Sequence, residues 1–224
     1  MKKIISLISS IILLSSLFSC ANDPENEDNN VLTGDTEIAL GEVGNTGYTV
    51  VEMDGKYQKL EGIEITKNEN GVATIHVSTD ISQMDGLSNV ADLVSTVYPS
   101  FLDENGNINA ELKYKITSEG IQDFNNIDGI PHTIVKYDCN VGDTYTVSLS
   151  NGNKITRTVT AISDQDDFQW GFFDIKTITI EQNAVAPGVK KYKFRANHRF
   201  GLVFVEAIME DGTSTAMYVY PSNY

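Results

Sequence analysis

Between Thr36 and Tyr224 the apolar positions recur mostly with a period of two. Val72 to Thr79 alternates Ala73, Ile75 and Val77 with Thr74, His76 and Ser78. Thr144 to Leu149 alternates Tyr145, Val147 and Leu149 with Thr144, Thr146 and Ser148. Lys154 to Thr160 places Thr156, Thr158 and Thr160 on one face. β-branched residues in this pattern make half-buried antiparallel strands. Gly201 to Met209 differs. Leu202, Phe204 and Ile208 share one face, and Val203, Val205, Ala207 and Met209 the other. Both faces are apolar, which predicts a central strand covered on both sides. Asp-Gly or Asn-Gly pairs occur at Asp54, Asn70, Asp85, Asn105, Asp128, Asn151 and Asp211. Such pairs tolerate the positive φ of tight hairpin turns.

One helix is predicted. Asn89 can cap it, and Val90, Leu93, Val94, Val97 and Tyr98 recur at helical spacing before Pro99 ends it. A second short turn is expected near Ser118 to Phe124. The fold class is mainly β: an antiparallel curved sheet or half-open β-barrel with one short helix packed on it. We read 36–224 as a single β-rich domain, open to division into sheet halves 36–130 and 131–224 that meet near Pro131.

The first residues follow a different pattern. Lys2 and Lys3 precede an uncharged run from Ile4 to Phe18, too short to span a bilayer comfortably. Residues 1–19 therefore read as a signal peptide. Ser19-Cys20 resembles the lipobox of bacterial lipoproteins, in which the cysteine is acylated and becomes the first residue. The resemblance implies lipidation at Cys20 and membrane anchoring without a transmembrane helix. Ala21 to Asn30 has four acids, no base and no large apolar residue. Residues 20–35 read as a lipidated, flexible acidic tether. Its acids look like the export signal that sends Bacteroidetes lipoproteins to the outer leaflet, and a plain solvated spacer is the other reading.

Charge and cysteine count narrow the function. The chain has 224 residues, a net charge of −15 and two cysteines. Removing Lys2 and Lys3 leaves 14 basic against 31 acidic residues, a net of −17. This argues against a nucleic-acid partner, which needs clustered cations. With Cys20 taken by lipid, Cys139 has no intramolecular partner and is expected to be buried as a small apolar residue.

Candidate chemistry is sparse. His76, His132 and His198 carry no metal spacing, and His76 falls on a polar strand face. Asp103, Asn105 and Asn107 suit the start of a calcium loop, but Ile108 and Tyr114 occupy the positions that need glycine and glutamate. A turn is the better reading there, and a solvated loop at Asp164 to Asp167. No metal, cofactor or catalytic residue is assigned. Phe168, Trp170 and Phe172 are read as sharing a strand face, either as a core plug or as the wall of an apolar or sugar-binding cleft. Lys191, Lys193 and Arg195 share a face opposite Tyr192, Phe194 and Ala196. They read as a solvent-facing stripe paired with the protein's own acids, or as an anion site.

The C-terminal half resembles uncharacterised lipoproteins of Bacteroidetes through Lys113 to Ile121, Val141 to Tyr145 and Asn197 to Val203. Val141-Gly142-Asp143-Thr144-Tyr145 and Phe200-Gly201-Leu202-Val203 also look, more distantly, like half-open β-barrel envelope proteins, such as the periplasmic lipoprotein carriers that hold acyl chains. The expectation is a non-enzymatic outer-membrane lipoprotein, on the periplasmic or cell-surface side, binding an apolar or lipid ligand. A surface-exposed interaction module, for glycan capture or envelope assembly, is the alternative. An unrecognised hydrolase built on paired carboxylates is a third.

Overall fold

The computed structural model describes residues 30–53, 55–80, 101–184 and 186–222. The expected helix at Val90 to Tyr98, the turn at Asp85-Gly86, the signal peptide and Cys20 all lie outside the described residues.

Among the described residues, fourteen strands follow a 3-10 turn at Ala39–Gly41. They are β1 (Thr46–Met53), β2 (Lys56–Glu69), β3 (Val72–Thr79), β4 (Ile108–Thr117), β5 (Gly120–Asp123), β6 (His132–Lys136) and β7 (Thr144–Ser148). Then come β8 (Lys154–Ile162), β9 (Phe168–Trp170), β10 (Phe173–Ile175), β11 (Ile178–Asn183), β12 (Val189–Asn197), β13 (Gly201–Met209) and β14 (Ser214–Pro221). Twelve of them make one antiparallel sheet in the order β6-β5-β4-β3-β2-β1-β14-β13-β12-β11-β8-β7. The sheet is continuous through the Pro131 region, because β6 pairs with β5 and β1 pairs with β14. Strands β9 and β10 form a separate hairpin.

Local chemistry sets these turns. Asn70 and Gly71 both have positive φ, 52° and 81°, as a two-residue hairpin turn of the I′ type requires between β2 and β3. The turn expected near Ser118 to Phe124 is instead a strand beyond a tight corner. Ser118 and Glu119 turn the chain, and Gly120 to Asp123 pair with both β4 and β6. The short apolar and polar mix there suited either form, and pairing on both sides decided it.

The two edge strands, β6 and β7, curl round to face each other. Their seam is closed by side chains. His132 Nε2 lies 3.0 Å from the Tyr145 carbonyl, and the Lys136 amide donates to the Tyr145 hydroxyl at 3.3 Å. Arg157 on β8 reaches across to Asp123 on β5 at 2.6 Å and to the His132 carbonyl at 2.9 Å. The result is a nearly closed barrel.

A strap from Asn30 covers the seam from outside. Asn30 donates to the Thr146 carbonyl at 2.5 Å and accepts from the Thr133 amide at 3.2 Å, so one side chain joins β7 to β6. Leu32 is buried, and its carbonyl accepts from Lys115. Asn30 to Asp35, assigned above to the tether, thus pack on the barrel.

Candidate functional site

The barrel interior has two unlike halves. Around β5 to β8, β11 and β12 it is filled by Ile121, Ile134, Val135, Tyr145, Val159, Ile180 and Ala196, each nearly inaccessible to solvent. Arg157 crosses this half, satisfied by Gln182 at 2.7 Å, Asp123 and the His132 carbonyl, with its guanidinium over the Phe194 ring. Its position was readable in principle, since Arg157 alternates with Ile155 and Val159 on the apolar face of β8. Nothing local marked Asp123 as its partner 34 residues earlier.

The other half is hollow. A cavity of about 270 Å³ lies between β1 to β5, β13 and β14. Its wall is largely aliphatic: Leu60, Ile63 and Ile65 from β2, Ile75 and Val77 from β3, Leu112 and Ile116 from β4, Val205 from β13, and Met217 and Val219 from β14. Leu40, from the 3-10 turn, also lines it. Ile75, Val77, Leu112 and Met217 point inward yet remain only half-buried. The reason is geometric. Side chains fill a barrel of about eight strands, and wider barrels leave interior space. In this wider barrel Tyr145, Phe194 and Arg157 bridge the aliphatic residues of one half, and among the described residues no such bridging side chains cross the other. Among the polar wall residues, Glu61 carries an ion pair to Lys59 at 2.6 Å. The last residue of β3, Thr79, and the first of β4, Ile108, line the cavity too. Of the chain between them, residues 81–100, where the helix was expected, lie outside the described residues.

The aromatic run sits on the opposite face of the wall. Hairpin β9–β10 lies on the outside of β13 and β14. Phe168 packs on Phe204 and Tyr218, with centroids 5.6 and 6.2 Å away. Trp170 stacks on Tyr220 at 5.1 Å, tilts on Phe200 at 4.6 Å, and donates to the Val219 carbonyl. Phe168 and Trp170 therefore share a face. Phe172 does not, because Gly171 and Phe172 form the turn and Phe173 continues the face instead. Phe172 is fully exposed.

The cationic residues of β12 also face outward, with Phe194 turned to the core. Lys191 pairs with Glu181 and Lys193 with Glu206, both at 2.8 Å. Arg195 lies over the Phe168 ring at 4.6 Å. These cations are half-buried under their partners rather than bare to solvent. On β13 the expected alternation breaks. A bulge at Val203 leaves Leu202 and Val205 both lining the cavity, while Phe204 faces the hairpin.

The remaining candidates are quiet. His76 lies opposite Glu64 and Glu111. Asp103 accepts the amides of Asn105 and Asn107, closing a turn. Cys139 is a free thiol packed on the filled core, and burial first, then Asp143, raises its pKa. It is therefore a poor nucleophile. Burial pushes His132 down to about 3, assisted by the Arg157 charge. The neutral ring must donate Nε2–H to the Tyr145 carbonyl, which can only accept.

No protein-family model matches this chain, and no curated protein matches it. Among solved structures, one from Bacteroides fragilis, described as an exported protein with a YmcC-like fold, aligns at a TM-score of 0.46 and 8% identity. The alignment covers 80% of this chain and 95% of that one. A likeness this distant says nothing of what the chain does.

Proposed function

We propose that this protein is a non-enzymatic lipoprotein of a bacterial outer membrane, anchored through Cys20, that holds an apolar or lipid ligand in the hollow half of its barrel. The observation that carries the reading is the aliphatic cavity. Its volume lies just below the ~300–1,000 Å³ usual for ligand sites. At the ~30 Å³ of one water, a methylene-sized unit, it accommodates roughly ten such units. Apolar cavities of ~150 Å³ already stay dry and take up small apolar solutes. Such a wall provides burial without directional bonds, so it selects for hydrocarbon rather than for a particular headgroup. The anchor rests on the Ser19-Cys20 lipobox and the acidic stretch after it.

The test is solvent extraction and mass spectrometry of the full-length protein purified from membranes. An apolar molecule should co-purify in stoichiometric amount. It should be lost from Val77→Trp, which fills the cavity while the barrel still melts cooperatively. Protein free of any apolar molecule, or equal retention by Val77→Trp, would refute the reading. Cys20→Ser should move the protein from the membrane to the soluble fraction.

A further inference from the structure

We infer that Leu40 is a length gauge: it stops one end of the cavity and sets how long an aliphatic chain fits. The inference rests on the apolar ligand proposed above and adds what limits its size. Among the described wall residues, Leu40 alone lies neither in a strand nor directly beside one. It comes from the 3-10 turn Ala39–Gly41, on the stretch of chain that crosses the barrel before β1 begins. A Cβ added at Gly201 would stand 3.5 Å from Leu40 Cδ1 and 3.9 Å from Ile121 Cδ1. The tip of Leu40 therefore reaches the start of β13 next to β5, where Gly201 and Ile121 are both buried. The exposed wall residues, Thr46 and Glu61, are near neighbours on β1 and β2 instead. Leu40 thus stands where the cavity is covered, and a chain lying in the cavity ends against it.

The turn is held firmly enough to act as a stop. Asn68 on β2 donates to the Gly41 carbonyl at 2.7 Å, and Asn45 donates to the Ala39 carbonyl at 2.6 Å. The Gly41 amide donates to the Ile38 carbonyl at 3.0 Å. Earlier in the chain, the Asp35 amide donates to the Ser118 hydroxyl and the Ser118 amide to the Asp35 carbonyl, both at 2.9 Å. The backbone that carries Leu40 is therefore fixed on both sides, while its side chain offers only carbon to the cavity. Residue 40 takes no part in strand pairing, so its size can change without shifting the register of the sheet. The cavity of about 270 Å³ holds roughly ten methylene-sized units. Truncating Leu40 to alanine frees the space of roughly three more carbons at its end.

The experiment uses the complete mature chain, residues 20–224, with Cys20→Ser so that its own acyl chains do not compete. Its probes are straight-chain primary alcohols from hexanol to tetradecanol, and native mass spectrometry reads the affinity of each. In the parent, affinity should climb roughly fourfold per added carbon and stop climbing at about ten carbons. Leu40→Ala should move that break to about thirteen carbons. Leu40→Trp should move it to shorter alcohols, a shift in the opposite direction that a merely destabilised turn would not produce. Val77→Trp, within the wall, should weaken every alcohol. A break at the same length in the parent, Leu40→Ala and Leu40→Trp would overturn the gauge and leave the cavity as a binding site. No alcohol bound by the parent would overturn the proposed function and the gauge with it.

Discussion

Arg157 and Asp123 meet at 2.6 Å inside the barrel, both less than a tenth exposed, and so tie β8 to β5 across a seam that main-chain pairing does not close. Two charges withdrawn from water are stable there only because each has further partners: Gln182 and the His132 carbonyl for the guanidinium, the Asn125 amide for the carboxylate.

Removing one partner should therefore be costly. Arg157→Ala leaves Asp123 buried and uncompensated, with an expected loss of ~3–5 kcal/mol. The double variant Arg157→Met with Asp123→Leu should recover much of that loss. Urea denaturation midpoints of the three proteins check the order, and a double variant no better than the single would show that the seam needs the ion pair itself.

The seam should also weaken in acid. His132 has a folded pKa of about 3 against 6.5 for the free ring, so the unfolded chain takes up a proton that the folded one refuses. Its contribution is complete above the unfolded pKa and declines as pH falls from about 6.5 towards 3. Urea midpoints at pH 7.5 and pH 5 read the upper part of this window, before most carboxylates titrate. His132→Gln keeps an N–H donor for the Tyr145 carbonyl and should show a smaller drop between those two pH values.

On β12 the inward and outward positions should separate in a melt. Phe194→Ala removes a ring packed on the filled core and beneath Arg157, and should cost about 3 kcal/mol, the low end for such truncations because the ring is only half-buried. Lys191→Ala breaks a partly exposed pair and should cost ~0–1 kcal/mol. The reverse ranking would mean that the strand faces are assigned the wrong way round.

Two glycines distinguish steric contact from backbone conformation. Gly62 has φ of 95°, and a Cβ there would stand 2.0 Å from the Ser78 carbonyl oxygen of the neighbouring strand. Gly212 has φ of 88° with nothing within 4 Å. Gly212→Ala should cost about 1 kcal/mol from the left-handed backbone alone. Gly62→Ala must also push β2 from β3, and should lower the melting temperature much further. Similar melts for the two would remove the steric argument.

Much of the sheet was legible because its signals are local. The alternation of Ala73, Ile75 and Val77 needs only the pleat of one strand to share a face, and Ile75 and Val77 on it line the cavity. Asn70-Gly71 needs only its own φ preferences to turn. The same reasoning failed at Phe172 and Val203. A two-residue turn after Trp170 and a bulge in β13 each shift the alternation by one position, and neither has a residue signature strong enough to show against the apolar run around it.

By itself the sequence determined the β character, most hairpin positions and the outward set of Lys191, Lys193 and Arg195, because each depends on neighbours a few residues away. Only the tertiary structure decided that twelve strands curl until β6 meets β7, that Asp123 and Arg157 close the gap, and that the aromatic hairpin packs outside the wall rather than within it. These outcomes depend on contacts between segments tens to more than a hundred residues apart. The cavity is the clearest case. Each inward isoleucine or valine looks like an ordinary core residue, and the space between them exists only because the closed sheet is wider than those side chains can span.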